Sequence, residues 1–110
     1  MAYDEALAGR IRELLAGQDG LTEKKMFGGL SFLVGGNMAV GASGQGGLLV
    51  RVDPAESNHL VSSTPARLME MGGRSMKGWL RVDTEELQSD EALQDWVERG
   101  VSYARSLPPK

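Results

Sequence analysis

The chain contains no cysteine. Disulfides, thiolate nucleophiles and cysteine-based zinc sites are therefore excluded. It has one histidine, His59. A transition-metal site needs three or four convergent ligands, and the nearby carboxylates Asp53 and Glu56 are placed to cap a helix. No bound metal and no cofactor are expected. A Ser-His-acid triad would have to recruit His59, and no serine sits at a strand–turn–helix elbow. No apolar run approaches the roughly 20 residues of a membrane helix. The N-terminal Met1-Ala2-Tyr3-Asp4-Glu5 is acidic and has no h-region, so it does not read as a signal peptide. The expected location is the cytoplasm. Internal repeats, linkers and low-complexity tracts are also missing.

What remains is an ordinary globular composition over 110 residues, 41% hydrophobic and 25% charged. That length fits one domain, residues 1–110, with a hydrophobic core of its own. The net charge of −3 is unevenly distributed. Residues 1–23 hold five acids and two bases, and residues 82–110 hold seven acids and three bases. Residues 24–81 hold seven bases and three acids. Overall acidity argues against general nucleic-acid binding, which depends on neutralising phosphates, but leaves room for a local basic face.

Tyr3, Leu7, Ile11 and Leu14 recur at helical spacing, with Leu15 widening the stripe, and predict a first helix over about residues 3–16. Gly17 and Gly20 bracket its stop. Short strands follow: 24–27, then Leu30, Phe32 and Val34 alternating with Ser31 and Leu33, then Met38, Val40 and Ala42, then Leu48, Val50 and Val52. Gly28-Gly29, Gly35-Gly36-Asn37 and the segment 43–47 supply the turns, because glycine accepts positive φ. This reads as a four-stranded antiparallel meander. Asp53-Pro54-Ala55-Glu56 is a helix start with a capping residue, proline at the first helical position and a capping-box glutamate. That helix is expected to end near Ser62-Ser63. A strand over Arg67–Met71, a loop over 72–78 and a short strand over Trp79–Val82 complete the middle of the chain. Asp83-Thr84-Glu85-Glu86 opens a further helical turn, with Asp83 expected to cap it in the same Asp-x-x-Glu pattern. Ser89 caps a last helix with the stripe Leu93, Trp96, Val97, Gly100, Val101, Ala104 and Leu107. Gly100 costs about 1 kcal/mol of helix propensity, which close approach to another element would explain. The order α-β-β-β-β-α-β-β-α predicts a two-layer α+β domain, a mostly antiparallel sheet of five or six strands with helices on one face.

Four segments resemble a known family. Lys24-Lys25-Met26-Phe27-Gly28-Gly29-Leu30-Ser31-Phe32 looks like the signature opening the first hairpin of N-terminal domains in the TfoX/Sxy competence-regulator family. Asn37-Met38-Ala39-Val40-Gly41 resembles the next strand, and Leu48-Leu49-Val50-Arg51-Val52-Asp53-Pro54 the strand-into-helix junction. Gly73-Arg74-Ser75-Met76-Lys77-Gly78-Trp79 resembles the Gly-Arg-x-Met segment before the last strand. The resemblance implies a secretion-chaperone-like two-layer fold with a five-stranded sheet, and a regulatory rather than catalytic role. Full-length members of that family are positive regulators of natural competence genes and carry a second, helical domain. The sequence ends at Lys110, so the chain is expected to stand as the first domain alone. The resemblance supplies no catalytic residues.

The residues themselves offer two readings. One side of the predicted sheet carries Leu30, Phe32, Val34, Leu48, Val50 and Val52. The other carries Leu33, Leu49, Arg51, Trp79 and Arg81, a mixed face with the tryptophan and arginine enriched at interface hot spots. Six methionines add an adaptable residue type; Met38 and Met76 are expected in the core, while Met26, Met69 and Met71 have no clear place. This favours a non-enzymatic protein-interaction module with an unknown protein partner, and a homodimer formed through the mixed face or an exposed edge. The alternative is a small-molecule or anion-binding protein, with an anion nest in 72–78 and Arg51, Arg74, Lys77 and Arg81 adding charge. A deep pocket with converging basic groups would favour that alternative. The acids Asp83, Glu85, Glu86, Asp90, Glu91, Asp95 and Glu98 read as helix-dipole partners and solvated surface rather than as a site.

Overall fold

The computed structural model describes residues 4–26, 29–44, 46–71 and 73–108. Tyr3, Phe27, Gly28, Gln45, Gly72 and the last two residues, to which the sequence assigns one helix position, a strand end, turns and a tail, lie outside them. The side chains of Met26 and Met71 do too.

Helix α1 (Glu5–Leu15) begins where the Asp4 carboxylate accepts from the Leu7 amide at 3.1 Å. It buries Leu7, Ala8, Ile11 and Leu15. Leu14, expected on the buried stripe, is only partly buried at its flank. At 3.6 residues per turn, Ala8, Ile11 and Leu15 form the inward line and Leu14 falls to one side.

Strands β1 (Leu21–Met26), β2 (Gly29–Val34), β3 (Asn37–Ala42) and β4 (Leu48–Arg51) form the expected meander. β1 starts earlier than the sequence suggests. A bidentate pair anchors it to α1, with Arg12 donating to both Glu23 oxygens at 2.8 and 2.9 Å. That hydrogen bonding lowers the Glu23 pKa more than partial desolvation raises it, and attraction to Arg12 adds to the lowering. A depressed folded pKa contributes stability above the unfolded carboxylate value, and the contribution is lost as pH falls through the folded value. Both partners are substantially exposed, so Arg12→Gln should cost only about 0.5 kcal/mol at pH 7. The difference between the two proteins should close on acidification below the ordinary carboxylate range, as read by urea midpoints at each pH.

Gly35 and Gly36 take φ of 61° and 84° between Val34 and Asn37. This is a two-residue hairpin turn that demands positive φ at both positions. Helix α2 (Pro54–Ser63) starts with Pro54 in its first turn and the Asp53 carboxylate accepting from the Ala55 amide at 2.9 Å. Glu56 does not close a capping box; its backbone amide, rather than its side chain, is what bonds back to Asp53. Asp53→Ala should lower stability by about 1 kcal/mol, read as a shifted denaturant midpoint with an unchanged slope.

Strands β5 (Arg67–Met71) and β6 (Arg74–Val82) follow, then a 3₁₀ turn (Thr84–Leu87) and helix α3 (Asp90–Ser106), capped by Ser89 Oγ on the Ala92 amide at 3.1 Å. The strand order is β1-β2-β3-β4-β6-β5, antiparallel throughout. β6 corrects the sequence reading: residues 74–78, expected in a loop, are strand. Arg74 to Met76 pair with Met69 to Met71, and a bulge over Lys77 to Trp79 carries the strand on to pair with β4. Gly78, at φ 85°, makes that bulge feasible, and its carbonyl accepts from the Val52 amide at 2.8 Å. Asp83 is a second correction. It makes no side-chain cap; its carboxylate pairs with Arg67 at 2.6 Å instead.

The core lies on one face of the sheet. The ladder row Phe32–Val40–Val50–Leu80–Leu68 meets Leu7, Ile11 and Leu15 of α1, Leu60 of α2 and Leu93, Trp96, Val97 and Val101 of α3. Leu87, in the 3₁₀ turn, is fully buried there.

Candidate functional site

Among the described residues, the opposite face of the sheet carries no helix. Directly paired residues of an antiparallel ladder share a face. One row across it reads Lys24, Ser31, Gly41, Leu49, Arg81 and Arg67. A second reads Thr22, Leu33 and Met38, and a third pairs Arg51 with Trp79. At the outer edge Met69 pairs with Met76, and Arg74, two residues from Met76 along β6, projects to the same side. All the sheet residues expected on the mixed face are on it.

Met38 is the exception to the alternation expected for β3. A β-bulge makes Phe32 pair with Val40 and Leu33 with Met38. The extra residue, Ala39, stays with the helix-side core, and Met38 moves to the other face. There it meets Leu49 and Met69 in a second, small hydrophobic cluster, with Leu33 and Trp79 partly buried against it. Met38 and Leu49 are 4% and 3% exposed although no helix covers them. Gly41 explains part of this: a Cβ there would lie 3.1 Å from Met38 Cε, so the missing side chain is the seat of the methionine.

The cations surround this cluster in different states. Arg81 is committed to the fold, donating to Ser43 Oγ at 3.2 Å and to the Gly46 carbonyl at 2.7 Å, which fastens the β3–β4 turn to the face. Arg67 is ion-paired with Asp83. Arg74 and Lys77 are exposed, on a strand and its bulge rather than round a loop. Arg51 is half-buried, with its guanidinium carbon over the Trp79 ring at 5.3 Å and over the Tyr103 ring at 5.6 Å. Strands contribute Lys24, Arg51, Arg67, Arg74 and Arg81 to this face and no carboxylate. Glu23 and Glu70 alternate to the other side, paired with Phe32 and Ser75.

A cavity of about 490 Å³ lies between α2 and α3, and Tyr103, one of the two rings beneath Arg51, forms part of its wall. Val52 and Leu60 line it, along with Asp53, Glu56, Asp95 and Glu98. It is an acidic groove rather than a pocket of converging basic groups. Its Arg99 lies over the Trp96 ring at 5.4 Å. His59 is exposed on α2. Among the described residues no group of three or more histidines and carboxylates is placed to hold a metal ion. No helix among them is long and apolar enough to cross a membrane.

Sequence reasoning missed Tyr103, because the contact that matters comes from another layer of the fold. It also missed Lys24 and Arg67. Alternation held the signal for Arg67, which is two residues from Met69 in a strand read correctly. For Lys24 the signal is weak, because β1 begins at Leu21 in a polar stretch whose alternation carries no apolar side.

No curated protein and no solved structure matches the chain at a significant level. A family profile does match, over residues 13–104, and it is that of the TfoX N-terminal domain. The matched span starts inside α1, takes in the whole sheet with both of its faces, and ends in the last turns of α3, so the chain belongs to the TfoX N-terminal domain family.

Proposed function

We propose that this chain is a non-enzymatic regulatory module that works by docking a protein partner on the helix-free face of its sheet. The observation that supports the reading is the segregation of charge. The face has a small apolar centre, Met38, Leu49 and Met69 with Leu33 and Trp79 at its margin, surrounded by cations that no strand carboxylate accompanies. Acids concentrate instead in the helical layer and its caps. An apolar centre with a charged rim is the usual anatomy of a protein interface, and a field of one sign steers a complementary partner.

The test is cross-linking in the native host followed by identification of the captured proteins. Partners recovered with the native sequence should be lost with Lys24→Glu plus Arg74→Glu, which reverse exposed charges on the face. They should persist with Glu91→Lys, which alters the exposed helical surface. Retention in the first case and loss in the second would place the interface on the helices and end this reading.

Self-association is a further part of the proposal, and the open edges β1 and β5 are its route. Pairing face to face would set Arg51 and Arg74 of one copy against the cations of the other. Neither edge strand contains a proline, and an open edge is a template for pairing. Light scattering at micromolar concentration should return twice the chain mass. A mass near 11.8 kDa that does not change on concentration would remove the homodimer.

A further inference from the structure

Arg51 stands apart from the other cations of the face. Arg81 and Arg67 spend their donors on Ser43, Gly46 and Asp83. The Arg51 guanidinium donates to no described residue and lies over the rings of Trp79 and Tyr103. The nearest carboxylate in sequence, Asp53, is occupied with the cap of α2. Stacking on aromatic rings engages the planar faces of a guanidinium and leaves its donors, which lie in the plane, directed outward. The rings come from different layers, Trp79 from β6 and Tyr103 from α3. They hold Arg51 in one place, so little rotamer freedom is left to lose when an acceptor arrives.

We infer that Arg51, held over Trp79 and Tyr103, is the docking point for a carboxylate side chain of an acidic, partly apolar peptide segment laid across the sheet face. This rests on the docking reading above and names the partner's chemistry. A carboxylate accepts two parallel N–H bonds from the guanidinium edge. Apolar residues of the same segment cover Leu33 and Trp79, which are already part-exposed beside Met38 and Leu49. The exposed cations Lys24 and Arg74 supply rim charge for further acids. A nucleic acid fits less well. Single-strand platforms stack successive bases on several rings, whereas the described part of this face offers Trp79 alone.

The test uses the full chain and fluorescein-labelled synthetic 12-residue peptides alternating glutamate with leucine or phenylalanine. Controls are the same peptides with glutamine for glutamate, a 12-nucleotide oligothymidylate, and inorganic phosphate as competitor. Anisotropy should show saturable, salt-sensitive binding of the glutamate peptide and weak or no binding of the glutamine peptide. Arg51→Gln should weaken binding about tenfold or more, as expected for loss of a charge-assisted pair. Arg51→Lys should not restore it fully, because lysine lacks the planar fork. Tyr103→Leu keeps the arginine but removes one ring, and should weaken binding several-fold. Thermal melts identify any variant that has merely unfolded, and Tyr103→Leu then serves in place of Arg51→Gln. Absence of binding by the glutamate peptide, equal binding by Arg51→Gln, or tighter binding of oligothymidylate would each overturn the inference. If native partners still depend on Lys24 and Arg74 while Arg51→Gln changes nothing, the docking reading survives and this inference alone fails.

Discussion

Leu15→Ala should destabilise the domain by about 3 kcal/mol, and Leu14→Ala by roughly half as much. The two residues are adjacent and chemically identical, so the contrast isolates burial. Leu15 is 1% exposed and belongs to the main core with Leu7 and Ile11. Truncating it removes a buried side chain from the core beside Val97 and Val101 of α3 and leaves a cavity that packed helices and strands fill only in part. Leu14 is only partly buried against the outside of that core, at the mouth of a groove with Gln18 and Gln94 whose wall buried Leu15 also reaches. Water can occupy the space its loss creates. Urea denaturation of both variants, with unchanged slope, measures the difference. Equal midpoints would mean that α1 is rotated from the position described.

Gly100→Ala should lower stability by about 2 kcal/mol, although alanine is the better helix former. A Cβ at position 100 would lie 2.3 Å from the Ala39 carbonyl oxygen and 2.7 Å from Val40 Cγ1. Neither can move easily. Ala39 is the bulged residue of β3, and Val40 is fully buried in the central row of the core. Overpacking against such groups costs about 3 kcal/mol, and helix propensity returns about 1 kcal/mol. For a domain of this size the net effect corresponds to a melting-temperature loss of about 8 °C. Gly9→Ala is the matching control, because a Cβ there meets nothing within 4 Å. It should stabilise α1 by up to about 1 kcal/mol through propensity alone. A stabilised Gly100→Ala would mean that α3 does not approach β3 so closely.

Much of this fold was legible because its signals are local. Asp53-Pro54 and Ser89 announce their helices through groups that bond a few residues away. Gly35-Gly36 announces a two-residue turn, because both positions need positive φ. Alternation along β2 and β4 assigned their inward and outward residues correctly, since a strand's side-chain period is two and a core covers only one face. Even Gly100 carried a trace of its role as an unfavoured residue on an apolar stripe.

The misreadings came from interactions that cross the fold. The bulge at Ala39 is set by the register between β2 and β3, and nothing local to Met38 indicates that it turns from the core to the opposite face. Gly78 reads as a breaker, yet bonding between its carbonyl and Val52, across to the end of β4, lets β6 continue through it. Asp83 looks like a cap, but Arg67 lies within reach only once β5 and β6 are paired. The candidate site follows the same division. By itself the sequence determined which residue types the open face carries, since alternation requires only the chain's own period. Tertiary structure alone decided their states. Ser43 and Gly46 capture Arg81, Asp83 captures Arg67, and Arg51 is left stacked between contributions from a strand and a helix. A guanidinium takes whichever partner three-dimensional packing brings within a few ångströms, and sequence separation carries no information about that distance.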